Sequence, residues 1–197
     1  MATTRLNFRA PSTSTAAVAT VGDNNNNDDD HDTSSPKFTP PSASFLHGKW
    51  YVTHSTLPMW KTNRNVTITY TPLPNDAAVL DDLVEYQPKS SDRRKKVKGY
   101  DTPSGDVPAA YGWRGKGWLM IASSKWQVIG YGDEDEGWCV TYFEKTLFTP
   151  AGIDVYSRRK TGASPDLLSR ITEEMKNVRD GNVRKLAADM FAIDHTG

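Results

Sequence analysis

From Gly48 onward, apolar and polar residues alternate with a period of two, in short runs broken by Gly, Pro, Asn and Asp. In Gly48-Lys49-Trp50-Tyr51-Val52-Thr53-His54-Ser55, the residues Trp50, Val52 and His54 share one face, which predicts a first strand over about 49–55. The next stretch, Leu57-Pro58-Met59-Trp60, puts large apolar side chains in a loop that either folds over a core or lids a cavity. A second strand is predicted over 65–71, with Val66, Ile68 and Tyr70 on one face, and Pro72 and Pro74 end it. A third covers 77–86, and its Asp81-Asp82 pair turns one carboxylate inward if the strand stays regular. The basic run Arg93-Arg94-Lys95-Lys96 has no interleaved stacking platform and reads as a solvated hairpin tip before a fourth strand over 97–101. Gly112, Gly115 and Gly117, set among Tyr111, Trp113 and Trp118, predict a bent or bulged strand pair over 111–122. Residues 125–132 and 137–145 make a hairpin around the acidic tip 133–136, and 153–158 form the eighth strand.

The period then changes. Ser164 is a good N-cap with Pro165 at the first helical position, and Leu167, Leu168, Ile171, Met175 and Val178 trace one helical face up to a stop at Gly181. Residues 182–194 fit either a short helix or a ninth strand. Ahead of the first strand, residues 1–43 carry Asn24–Asn27, Asp28–Asp30 and Pro/Ser clusters, too little apolar surface to offset ordering entropy. The expected organisation is a disordered tail over 1–43 and one all-β domain over 44–197, with Phe38 and Phe45 able to pin the tail's end.

Charge narrows the function. Lysine plus arginine equals aspartate plus glutamate, 24 against 24, so no global field draws the chain to nucleic acid or to an anionic membrane. Cys139 is the lone cysteine, which excludes an internal disulfide and multi-cysteine metal motifs and fits a reducing compartment. No apolar run approaches the roughly 20 residues of a membrane span. The N-terminus shows no secretory leader, although Arg5 and Arg9 among Ser and Thr keep a mitochondrial presequence open. A cytoplasmic location is expected. The four histidines do not cluster, and no dinucleotide fingerprint or nucleophile triad is present, so neither metal nor cofactor is expected.

About eight antiparallel strands followed by a helix is the order of an up-and-down barrel. Gly48-Lys49-Trp50-Tyr51 resembles the Gly-x-Trp-Tyr start of the first lipocalin strand. Ser157-Arg158 is similar to the end of the family's last strand, where an arginine packs over that tryptophan, and Trp126–Tyr131 with Asp133 resembles its middle region. The resemblance covers about 45–194 and points to the lipocalin/calycin superfamily, nearest to intracellular fungal lipocalin-like proteins. It implies a structural plug of Trp50 and Arg158 at one barrel end.

A barrel of this size is either filled or holds one small ligand. With six Trp, eight Tyr and six Phe, the chain is rich in the rings such pockets use. Met59, Trp60, Tyr86, Trp113, Trp118 and Tyr131 are candidate ligand contacts. His54, Tyr100 and Tyr142 are candidates to hydrogen-bond a carbonyl or carboxylate, and Arg114 to anchor a carboxylate. The expected partner is a mostly apolar small molecule. Since related calycin folds include cyclases and pericyclases, the resemblance implies cofactor-free cyclisation or isomerisation by confinement. A plain intracellular carrier, and a filled barrel used for protein interaction, stay open beside it.

Overall fold

The computed structural model describes residues 6–12 and 38–196. Much of the expected tail therefore lies outside the described residues. Eight strands form the barrel: β2 (Gly48–Ser55), β3 (Asn63–Leu73), β4 (Asp76–Pro88), β5 (Lys95–Pro103), β6 (Ala110–Gly115), β7 (Ser123–Gly132), β8 (Trp138–Phe143) and β9 (Gly152–Ser157). Each pairs antiparallel with the next, and β9 returns to β2 through Tyr51↔Ser157 and Val52↔Tyr156, which closes the sheet. The architecture is the predicted all-β up-and-down barrel with C-terminal helix. A short strand β1 (Asn7–Phe8) adds to β7, and β10 (Phe191–Ala192) adds to β2.

Two bulges decide which side chains face inward. On β2, Val52 lies opposite Tyr156 but His54 lies opposite Val155, so the alternation slips by one residue at Thr53. On β7, Val128 lies opposite Thr141 and Gly130 opposite Val140, so it slips again at Ile129. The interior cluster contains Trp50, Val52, Ile68, Tyr70, Trp126 and Tyr156. A second cluster lies outside the barrel wall, where Ile129, Val140, Ile153 and Val155 meet helix α1 (Pro165–Asn177) and helix α2 (Gly181–Ala188). All six residues of β9 are buried, because helices cover one face and the interior the other.

The helices follow their caps. Ser164 Oγ accepts from the Leu167 amide, with Pro165 opening α1. Gly181 is the first residue of α2 and does not terminate α1, because Asp180 caps it by accepting from the Val183 amide at 2.8 Å. Residues 182–194 thus supply both a helix and the short strand β10. The strand β1 docks where composition predicted only a tail. Phe8 lies over Gly130, where any Cβ would come 2.5 Å from its ring, and stacks on Trp138 at 5.8 Å. Arg9 adds hydrogen bonds to Val128 O at 3.0 Å and Pro108 O at 2.7 Å.

Candidate functional site

One end of the barrel is sealed. Trp50 is fully buried and donates its indole N–H to Leu46 O at 2.9 Å. The Arg158 guanidinium lies 3.5 Å from the indole centroid and donates to Lys49 O, Phe45 O and His47 O at 2.8, 2.6 and 2.9 Å. Burial lowers its pKa from the usual arginine value. A desolvated cation over tryptophan contributes about 2 kcal/mol, and the three carbonyls tie the strap of residues 43–47 across this end.

Above the plug, the interior carries acids. Asp82, Asp101 and Asp154 are 5, 0 and 1% exposed, and no Lys, Arg or His is found among the buried described residues. Asp101 accepts from Trp126 Nε1 at 2.7 Å, and Asp154 accepts from Ser55 Oγ at 2.5 Å. Ser55 Oγ in turn accepts from the Leu57 amide at 2.9 Å, so the bulged strand and the loop after it are tied to Asp154. The Trp60 indole also favours ionised Asp154, although its N–H lies outside hydrogen-bond geometry. Desolvation pushes the Asp101 and Asp154 carboxyls up to about 7. It raises Asp82 well above the carboxylate range, helped by the charge of Asp101 and opposed by the Trp113 indole.

Around these acids, Tyr70 stacks on Trp126 at 5.6 Å and Tyr111 on the same indole at 4.7 Å. Trp60 meets Tyr86 edge-on at 5.6 Å. Trp113 lies against bare backbone at Gly99, where a Cβ would stand 2.2 Å from its indole nitrogen. Asp82 Oδ1 and Asp101 Oδ2 are buried without a hydrogen-bond partner, and the Tyr156 hydroxyl lies beside those of Tyr70 and Thr141. An orphaned buried oxygen costs about 1–3 kcal/mol, so the two carboxyl oxygens are the unmet polar positions of this layer.

The sequence candidates divide by face. Trp60 belongs to the interior cluster, and Tyr86, Trp113 and Tyr131 pack against it, whereas Met59 is 48% exposed on its loop. The Trp118 side chain lies outside the described residues. His54 faces outward because the bulge at Thr53 reverses its parity and hands its inward place to Ser55. Tyr100 pairs with Asp81 and Arg114 on the outer face, where Lys116 sits 3.8 Å over its ring and bonds Asp81 at 2.6 Å. Tyr142 pairs with Gln127 and Ile153 outside, and its hydroxyl accepts from Asn182 at 3.1 Å. These four polar candidates therefore do not meet in the interior. Of the Asp81-Asp82 pair, Asp82 is the inward one.

Residue-level reading passed over Asp101, Asp154 and Ser55. The available signal was an acid inside an apolar run, Gly152-Ile153-Asp154-Val155-Tyr156, which suits a wall covered on both faces. A separate cleft of about 390 Å³ lies on the outer wall, lined by polar groups of Lys49, Tyr51, Arg64, Asn65 and His195. It shares none of the acids of the barrel layer.

The geometry defines a small up-and-down barrel, plugged at one end, with helices on one flank. No protein-family model and no curated protein matches the chain in sequence. Solved structures do match in fold. Apocrustacyanin C1 aligns with a TM-score of 0.60 at 10% identity, covering 80% of this chain and 81% of its own. The siderocalin Ex-FABP aligns at 0.56 with 13% identity over 78% and 97%, and the bovine lipocalin allergen Bos d 2 at 0.54 with 12% over 77% and 94%. The fold is that of the lipocalins.

Proposed function

We propose that the barrel binds one small, mostly apolar molecule, entered from the end opposite the Trp50–Arg158 plug. The observation that carries this reading is the pair of orphaned buried carboxyl oxygens of Asp82 and Asp101 within an aromatic wall. Rings supply contact area, and a few convergent polar groups set orientation. Since the unpartnered groups are carboxyls held partly protonated by burial, the complementary polar group is a neutral one such as a hydroxyl, an amide or a carbonyl, and a carboxylate is disfavoured. The siderocalin named above is described by its dual ligand specificities, which supports a ligand-holding use of this fold.

Cofactor-free cyclisation or isomerisation is the finer reading. It is supported by the raised pKa values of Asp82, Asp101 and Asp154, since a carboxylic acid kept neutral can donate to a carbonyl as charge shifts onto it. The resemblance to intracellular fungal lipocalin-like proteins leans the same way, since related calycin folds include cyclases and pericyclases. Incubating the full chain with an extract of its source organism, followed by mass spectrometry of small molecules, tests both. A compound retained unchanged supports a carrier, and a product of equal mass formed only with protein supports a cyclase or isomerase. Recovery of neither retained compound nor product would overturn the binding reading.

A further inference from the structure

Up-and-down connectivity places alternate loops at the same barrel end, and here the two ends differ sharply. At the end away from the plug are the loops 56–62, 89–94, 116–122 and 144–151. They carry six basic residues, Lys61, Lys89, Arg93, Arg94, Lys116 and Lys145, against two acids, Asp92 and Glu144. Asp92 is already paired with Arg64, Lys116 with Asp81 and Lys96 with Glu85, which leaves Lys61, Lys89, Arg93, Arg94, Lys95 and Lys145 outside these ion pairs. Lys95 and Lys96 extend the basic run into the start of β5 and are exposed. The loops 74–75, 104–109 and 133–137 at the plugged end hold five acids, of which Asp135 pairs with Arg159 and Glu134 with Arg170, and Arg158, Arg159 and Lys160 follow β9 at the same end. The excess of unpaired basic side chains in a chain of zero formal net charge therefore lies at the end away from the plug.

The exposed apolar side chains follow the same polarity. Ile121, Leu147 and Phe148 are 94, 96 and 92% exposed, with Met120 at 63% and Met59 at 48%. All five sit on three of the four loops at the basic end. Apolar side chains gathered this way mark an interaction surface. They project from separate loop tips around a rim and line no single shaped groove, which suits a fluid surface better than a folded partner. Basic groups beside apolar tips supply the two contributions that hold a protein at an anionic bilayer, charge attraction and shallow insertion.

We propose that this end of the barrel docks on an anionic lipid bilayer, with Ile121, Leu147 and Phe148 inserted beside the basic hairpin 89–96. The plugged end then faces away from the membrane, and the opposite end of the barrel faces it. Docking in this way does not require the ligand-binding reading, but it gives an apolar ligand a path from bilayer to barrel that avoids water.

The test is co-sedimentation of the full chain with vesicles of phosphatidylcholine, with and without about 30 mol % phosphatidylserine. Binding is expected only to the anionic vesicles and is lost at high salt. The triple variant Ile121→Asp/Leu147→Asp/Phe148→Asp lowers partitioning by at least about tenfold, and Arg93→Ala/Arg94→Ala lowers it by roughly 25-fold. Both keep the parent melting temperature, since their side chains are exposed. Absence of binding, equal binding to neutral vesicles, or a triple variant that binds like the parent would each overturn the proposal. So would concentration-dependent self-association abolished by the same triple variant without vesicle binding, which would assign the apolar rim to a second copy of the chain.

Discussion

Asp154→Asn isolates the electrostatic cost of the buried acid layer. Asp154 is 1% exposed, bonded to Ser55 Oγ at 2.5 Å, and desolvation pushes its carboxyl up to about 7 from an ordinary 3.8. The folded state therefore holds this proton more tightly than the unfolded chain does. The resulting stability is present in full below about pH 4 and is lost as pH rises towards and through 7. Linkage with these two values gives a loss of about 2–3 kcal/mol between pH 5 and pH 8 from this group alone. Asparagine keeps the shape and cannot ionise, so the variant lacks that loss. It carries a pH-independent penalty of about 1–3 kcal/mol, because its amide N–H replaces an acceptor. Guanidinium unfolding followed by tryptophan emission at pH 5, 6.5 and 8 measures the difference between parent and variant. That difference should move in the variant's favour by about 2–3 kcal/mol across the range. A difference constant to within about 0.5 kcal/mol would show that Asp154 ionises in the barrel as freely as in water, and the account of the acid layer would fall.

Removing the plug by Trp50→Ala should destabilise the fold by about 3–5 kcal/mol, read from the denaturation midpoint, because a fully buried indole, its bond to Leu46 O and the Arg158 contact are lost together. Gly99→Ala forces a methyl against the Trp113 indole at 2.2 Å and the Arg114 carbonyl at 2.8 Å. It should cost about 1–3 kcal/mol and change the near-ultraviolet circular dichroism of the displaced indole. His54→Ala, Tyr100→Phe, Arg114→Ala and Tyr142→Phe should each leave retention of the barrel ligand within about twofold of the parent, since their side chains lie outside. Trp60→Ala and Trp113→Ala should weaken retention, and equilibrium dialysis of the ligand recovered from extract separates the two groups.

Strand order, strand number and the helix start were legible because they depend on local quantities. Alternation marks a half-buried strand, a Pro-Gly-Asn-Asp cluster ends it, and Ser164-Pro165 caps a helix whatever surrounds it. The Trp50–Arg158 pairing was legible only through family resemblance, since 108 positions of chain separate two residues that meet at 3.5 Å. The polar candidates went astray for a definite reason. His54 was assigned by unbroken alternation from Trp50, and one added residue at Thr53 exchanged it for Ser55. Tyr100, Arg114 and Tyr142 have side chains suited to a pocket, but side-chain chemistry does not say which wall they face.

By itself the sequence determined what depends on period and composition: eight strands, a capped helix and an aromatic supply large enough to line a barrel. Tertiary structure decided parity and burial. Two bulges set which residues enter the interior, helices over β7–β9 turned a wall with two apolar faces into a double core, and closure put Asp82, Asp101 and Asp154 out of reach of water. It also gathered Met59, Ile121 and Phe148 with the basic hairpin at one end, because strands that run up and down bring together loops that lie far apart in the chain. Local pattern is carried by neighbours in sequence, whereas a site is a sum over neighbours in space.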